Sequence, residues 1–286
     1  MISMVLHGTK LRIHSLFWVV ILLSVVTGRF MEVITLFVLV LIHELGHVTA
    51  ATSFGWRIES IELLPFGGVA HTDEWGTVPA REEIVVALAG PFHNVIMILF
   101  GYLFFSLGWW SAEWTAYFIK GNAFLAGFNL LPIYPLDGGR VFQAILCYLL
   151  PYRQAVRVSI GAGICGSILL LLFSVLDQEP QLNLAVVAVF LLYSNGISLK
   201  HRDFQFMRFL IHRRENRVHA GARIVCLSVR PEEPLSVVLK RFRKEAYHVL
   251  EVQEPSGRRR TVPEEALFQI YFGEKRTQGV IADLIA

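Results

Sequence analysis

Charge is scarce in most of this chain. Only 17% of its 286 residues are Asp, Glu, Lys or Arg, 54% are hydrophobic, and the mean hydropathy is +0.53. An ordinary soluble domain is about a quarter charged. The scarcity is uneven: residues 1–200 hold ten Lys/Arg and twelve Asp/Glu, whereas residues 201–286 hold sixteen and eleven. That contrast predicts an apolar N-terminal part followed by a water-soluble tail. A net charge of +3 spread over this length is too small and too diluted to argue for nucleic acid, and no nucleic-acid partner is expected. Cysteine is also rare. Cys147, Cys165 and Cys226 lie far apart with no C-x-x-C, which reads as free thiols and excludes a secreted disulfide scaffold. No internal repeat or low-complexity tract is present, and the first apolar run lacks a small-residue cleavage site. That run therefore reads as a retained span and not a signal peptide.

What the chain does have is long apolar runs. A bilayer core needs about 20 apolar residues per helix, and such runs fall at 12–28, 33–52, 83–107, 115–136, 155–176 and 182–199. The expected fold is thus an α-helical polytopic membrane domain of six spans over 1–199, with Pro132 and Pro135 interrupting the end of the fourth. With the N-terminus in the cytoplasm, the inner side collects Lys10, Arg12, Arg57, Arg81, Arg140, Arg153, Arg157 and Lys200. The outer side holds Arg29 and Lys120, so the positive-inside rule is met and the C-terminus is expected in the cytoplasm too. Residues 200–221 mix basic and bulky apolar groups, as a membrane-surface helix or interdomain linker does. Over 222–286 a small α/β domain is expected. IVCLSV and AYHVLEVQ read as strands and PSGR as a turn; PEEPLSVVLKRFRKE, VPEEALFQIYFG and QGVIADLIA read as helical.

Within the second run stands LVLIHELGHVTA. Ionisable groups at membrane depth are costly and mark a functional site by default. His43 and His47 are four residues apart, so on a helix both imidazoles leave one face and can share a metal ion. Glu44 is turned by about 100 degrees, placing its carboxylate to meet water at the metal and not to bind it. H-E-x-x-H is the zincin signature, in which the glutamate is general base. A hydrolytic zinc site needs a third protein ligand. His71, His93, Glu82, Glu83 and Asp137 are the candidates, and Asp137 leads. It follows two prolines that break the fourth helix, and Gly138 and Gly139 let the backbone turn closely there.

HELGH in the second run, with NLLPIYPLDGG in the fourth, resembles the site-2 protease family of intramembrane zinc metalloproteases. The resemblance covers about residues 1–200. It implies one zinc per chain held by His43, His47 and Asp137, with Glu44 as base. It implies that IELLPFGGVA forms a β-like hairpin offering backbone to an extended substrate, with Phe66 and Gly67 in that role, and that Asn129 and Pro135 shape the cleft. His93 and Asn94, after Ala89-Gly90-Pro91, could stabilise an oxyanion or pack against the site. The tail resembles a single CBS-type module, which implies a homo-oligomer and ATP as a regulator. No nucleotide-contacting residue is assigned, because TVPEEALF stands where the usual glycine-bearing strand would be. The resemblance extends to the family's sporulation branch. That implies pro-sigma-K as the membrane-associated substrate, checkpoint membrane inhibitors as partners, and the membrane surrounding the forespore, facing the mother cell.

The competing reading is a multipass transporter with a regulatory CBS-like domain, since broken spans and intramembrane polar groups also occur there. A transporter has no need for a glutamate between two histidines four residues apart. Six spans exclude a soluble zincin.

Overall fold

The computed structural model describes residues 2–6, 9–13, 15–58, 60–64, 67–72, 74–176, 181–216, 223–253, 259–273 and 279–284, with backbone alone for 2–18 and 61–71. The chain divides into two compact units, 1–141 and 142–286.

The first unit opens with β1 (Ile2–Leu6) and β2 (Thr9–Ile13), then α1 (Ser15–Val26) and α2 (Phe30–Ser53). A hairpin of β3 (Ser60–Leu64) and β4 (Gly67–His71) leads into α3 (Ala80–Ser106) and α4 (Ala112–Asn129). The four strands form one sheet in the order β1-β2-β3-β4, antiparallel except for the β2–β3 pair. The expected hairpin is therefore present and β4 lies against α2. Its joining to the first thirteen residues was not expected: Lys10 to Ile13 pair as β2, so the run at 12–28 yields only a twelve-residue helix.

The ends of α2 and α3 explain why both helices stop sharply. After α2, Gly55 adopts φ 79°, its N–H reaches the Thr52 carbonyl at 3.0 Å, and the Trp56 N–H reaches Ala51 at 3.0 Å. This paired closure requires a left-handed residue, and glycine supplies it without a Cβ penalty. Trp56 then packs on Ala51 and Val86. Gly108 and Trp109 close α3 in the same way onto Phe105 and Phe104. Ser111 caps α4 by accepting from the Trp114 N–H.

The second unit takes most of α5 (Asp137–Leu149), whose first residues belong to the first unit. It continues with α6 (Tyr152–Leu176) and α7 (Leu182–Glu215). Residues 200–215, read as a linker, are the last turns of α7. The tail holds β5 (Arg223–Val229), α8 (Leu235–Leu239), β6 (Ala246–Gln253), β7 (Arg259–Pro263), α9 (Glu264–Phe268) and a short 3-10 turn, Ile281–Leu284. Its sheet order is β5-β6-β7, parallel then antiparallel. The strand reading held for β5 and β6, while PSGR lies outside the described residues. The helical reading of VPEEALFQIYFG holds over α9 and a π-helical turn that continues it, Gln269–Gly273. PEEPLSVVLKRFRKE and QGVIADLIA shorten to single turns, and β7 takes RRTVP, whose only buried side chain is Val262. With one inward residue, that strand carries almost no alternation to read.

Four helices are long and apolar enough to cross a bilayer: α2, α3, α6 and α7. They make the chain an integral membrane protein. Among the described residues α1 and α4 do not reach that standard.

Candidate metal centre

The site begins on α2, where His43 and His47 sit one turn apart and meet edge to face, with ring centroids 4.8 Å apart. Both Nδ1 atoms face carbonyl-type oxygens that can only accept. His47 Nδ1 donates to the Val86 carbonyl of α3 at 2.7 Å, and His43 Nδ1 donates to Asn94 Oδ1 at 2.6 Å. Each Nδ1 therefore carries the proton and each Nε2 presents a lone pair. Those lone pairs point at one another across 3.2 Å.

Asp137 completes the set. Its Oδ2 lies 3.1 Å from His43 Nε2 and 3.2 Å from His47 Nε2. Three acceptors thus form a nearly equilateral triangle with sides of 3.1–3.2 Å, and all three residues are buried. Bare acceptors hold together at that spacing only with a proton or cation among them. Ligand atoms about 2.0–2.1 Å from a tetrahedral zinc are about 3.3 Å apart, so the donor set fits zinc and leaves a fourth position open. A Glu44 carboxylate oxygen lies within 4.8 Å of the histidine ligand atoms.

Local backbone explains how Asp137 arrives. α4 ends at Asn129; the chain then turns through a Leu131–Ile133 contact and an Ile133–Leu136 hydrogen bond before α5 starts at Asp137. A Cβ on Gly138 would sit 2.1 Å from the Leu130 carbonyl oxygen, and one on Gly139 would sit 2.4 Å from the Tyr134 nitrogen. Only glycine lets the start of α5 fold this tightly onto the loop. Gly90 does the same between helices: a Cβ there would lie 2.3 Å from His47 Nε2.

The remaining candidates for third ligand are held elsewhere. Glu82 accepts from Trp56 Nε1 at 2.9 Å, Glu83 accepts from the Gly76 N–H, and His93 Nδ1 donates to Ala89 of its own helix at 2.8 Å. The His71 side chain lies outside the described residues. Asn129 donates back to Leu125 at 3.1 Å, and Pro135 is half-buried in the loop before Asp137. Gly67 opens β4 opposite Leu64, and Phe66 lies outside the described residues.

Sequence reading missed Asn122, whose Oδ1 accepts from Asn94 Nδ2 at 3.0 Å. An amide buried in an apolar helix was the signal available. It also missed Arg140, whose guanidinium lies 4.3 Å over the Trp75 ring one turn beyond Asp137. The Val86 carbonyl has no side-chain signal at all.

Comparison with known proteins agrees with this chemistry. The model of peptidase family M50 matches residues 31–111, which include α2 and α3. The chain is 28% identical to stage IV sporulation protein FB of Bacillus subtilis, over 96% of each chain. It is 32% identical to a zinc metalloprotease of Methanocaldococcus jannaschii, over 65% of this chain and 52% of that protein. The solved site-2 protease from Methanocaldococcus jannaschii superposes with a TM-score of 0.56 at 30% identity, covering 69% of this chain and 94% of that one. With nearly all of that solved fold recovered around a buried ligand triangle, the chain belongs to the site-2 protease family, the intramembrane zinc metalloproteases of peptidase family M50.

Proposed function

We propose that His43, His47 and Asp137 hold the zinc and that Glu44 is the general base of peptide hydrolysis. The observation that carries this reading is the triangle of His43 Nε2, His47 Nε2 and Asp137 Oδ2 with sides of 3.1–3.2 Å. Zinc, when bound, makes water acidic near neutral pH and polarises a carbonyl. Glu44 accepts the proton of the attacking water on its carboxylate and delivers it to the leaving amide nitrogen. The Val86 and Asn94 oxygens keep both histidines oriented during this exchange. Substrate must be extended before its carbonyl can be reached. β4 lies against α2, and among the described residues its outer edge has no partner strand, so strand addition there brings substrate backbone to the α2 side of the sheet. In this reading Phe66 and Gly67, with Asn129 and Pro135, border the cleft.

In the same reading α1 and α4 join the four long helices as shorter spans, both termini are cytoplasmic, and residues 222–286 form a CBS-like module in an oligomer. The substrate is a membrane-associated protein, pro-sigma-K by likeness to the sporulation relative. By the same likeness the setting is the membrane around the forespore, with checkpoint inhibitors as partners and ATP as a ligand of the tail.

The test is zinc content of detergent-purified protein. Wild type carries about one zinc per chain and His43→Ala and Asp137→Ala carry none. Glu44→Gln keeps zinc and loses cleavage of a membrane-associated substrate. Folded wild type without metal, after purification with zinc and no chelator, overturns the reading.

A further inference from the structure

Behind His43 runs a chain of hydrogen bonds of which the hydrolytic reading uses only the first link, the one to Asn94. His43 Nδ1 meets Asn94 Oδ1 at 2.6 Å, Asn94 Nδ2 donates to Asn122 Oδ1 at 3.0 Å, and Asn122 Nδ2 donates to the Phe118 carbonyl at 2.9 Å. Both asparagines are wholly buried. The chain links α2 to α3 to α4 and ends on a backbone oxygen.

That ending fixes the polarity of every member. A backbone carbonyl can only accept, so the Asn122 amide nitrogen must face Phe118 and its oxygen must face Asn94. The Asn94 amide nitrogen then faces Asn122, and its oxygen is left for His43. An oxygen there accepts only, so the proton of His43 sits on Nδ1 and the Nε2 lone pair is aimed at the triangle. Flipping either amide would set nitrogen against nitrogen and oxygen against oxygen among wholly buried groups, at a cost of about 1–3 kcal/mol per unsatisfied group. The direction of the whole chain follows from its backbone anchor, with no assumption about a metal.

We infer that Asn94 and Asn122 are positioning residues which lock His43 as an Nε2 ligand, latching α4 to the zinc site through α3. His47 is locked differently, by the Val86 carbonyl of the turn preceding Pro91. The two ligands thus have separate supports, and only the His43 support reaches a third helix. Asn122 acts at a distance of two hydrogen bonds and touches no ligand. The inference rests on the zinc reading for its effect on affinity, but its statement about His43 stands on hydrogen bonding alone.

The experiment has two arms. In the first, zinc affinity of the full chain is measured by chelator competition. Asn94→Ala should weaken it by about 10–100-fold, the usual effect of removing an outer partner of a histidine ligand. Asn122→Ala should weaken it in the same direction by a smaller factor. Thr115→Ala, which removes a buried α4 hydroxyl bonded to Ser111 of its own helix, should leave it unchanged. Folded Asn94→Ala and Asn122→Ala with wild-type affinity would overturn the inference. The second arm uses the zinc-free wild type in bilayers and reads the nitrogen-15 shifts of His43, so it does not depend on any variant folding. A protonated Nδ1 is expected whatever Nε2 holds, and a bare Nδ1 overturns the inference. Wild type that binds no zinc but shows a protonated Nδ1 would defeat the metal reading and leave the chain of amides standing.

Discussion

Two buried clusters in this chain are built from the same residue types and come out opposite in character. On α2 and α5, His43, His47 and Asp137 turn three acceptors toward one point. In the tail, His248 and Glu264 are equally buried but their acceptors are answered. Arg213 donates from Nε to Glu264 Oε1 at 3.0 Å and from Nη2 to Oε2 at 3.1 Å, and the His248 N–H and Nδ1 add bonds to Oε2 at 2.8 and 3.1 Å. His248 Nε2 in turn accepts from the Arg243 N–H at 3.1 Å. Arg213, near the C-terminal end of α7, also donates to the Arg243 and Ala246 carbonyls. One cluster brings its own cation; the other has places for a cation and supplies none. Histidine and carboxylate in a core do not make a metal site. An excess of lone pairs over donors does.

The largest expected effect separates the clusters outright. Asp137→Ala should abolish zinc binding and proteolysis while leaving the tail folded. Glu264→Ala should do the reverse. It strands a buried guanidinium, which costs about 3–5 kcal/mol, and zinc content stays at the wild-type level. Hydrogen exchange of β6 amides reads the tail, and metal analysis reads the site. A paired replacement sharpens the point: Arg213→Met with Glu264→Leu strands no charge, so it should be less destabilised than Glu264→Ala. The His248 N–H and the Arg243 and Ala246 carbonyls still lose their partners. No apolar replacement of the triangle can retain zinc.

Gly90→Ala comes next. Its Cβ would occupy the space of His47 Nε2, 2.3 Å away, so either the helices part or the imidazole leaves the triangle. Zinc affinity should fall by at least tenfold, at a stability cost of about 1–3 kcal/mol. Gly161→Ala is the matched control: it lies in α6 with nothing within 4 Å, so zinc binding should be untouched.

How much of this could be read from sequence follows the same division. His43, Glu44 and His47 were legible because their spacing is local and their apolar setting makes them costly. Asp137 was legible because prolines and glycines announce broken backbone beside it. The Asn94–Asn122 pair was not, because partners 28 residues apart on different helices leave no spacing to read. The tail ion pair joins Arg213 to Glu264 over 51 residues and was invisible for the same reason. Residues 200–215 read from sequence as a membrane-surface helix or interdomain linker; they are helical, but as the unbroken continuation of α7. Phe206, Phe209 and Leu210 are buried, Phe209 stacks on Tyr152 of α6, and Arg213 is bonded to Glu264 of the tail, so packing and this ion pair hold the helix together to its end.

A pH series should move the two clusters unequally. Burial and the nearby Arg213 and Arg243 hold His248 below its ordinary value, outweighing the hydrogen bond to Glu264. Glu264 is also lowered: burial opposes this, but the His248 hydrogen bond and the Arg213 charge prevail. In both cases the deprotonated form is favoured on folding, so both contributions are complete above the unfolded pKa and fade as pH falls. The His248 share starts to go below about pH 6.5 and the Glu264 share below about pH 4.5. Protection of β6 amides should decline over that range in wild type. In the Arg213→Met, Glu264→Leu pair the Glu264 share should be missing. A wild-type tail equally protected from pH 8 to 4 would mean that these groups titrate alike folded and unfolded.

The smallest effect tests whether exposure alone can make a carboxylate pair irrelevant. Tyr247 donates to Glu265 Oε2 at 2.7 Å on an exposed part of the tail, one residue from His248 in sequence. Partial burial and the Glu265 carboxylate push its phenol up to about 12. A raised value favours the protonated form on folding, so its contribution is present below about pH 10 and lost above. Tyr247→Phe keeps the ring and removes only this bond, and water can solvate Glu265 in its place. The loss should stay under about 1 kcal/mol, read as a small, uniform drop in β6 protection at pH 7 that disappears near pH 12. A loss approaching that of Glu264→Ala would show that the tail's polar network extends to its surface, and that burial is not what separates structural from incidental pairs in this chain.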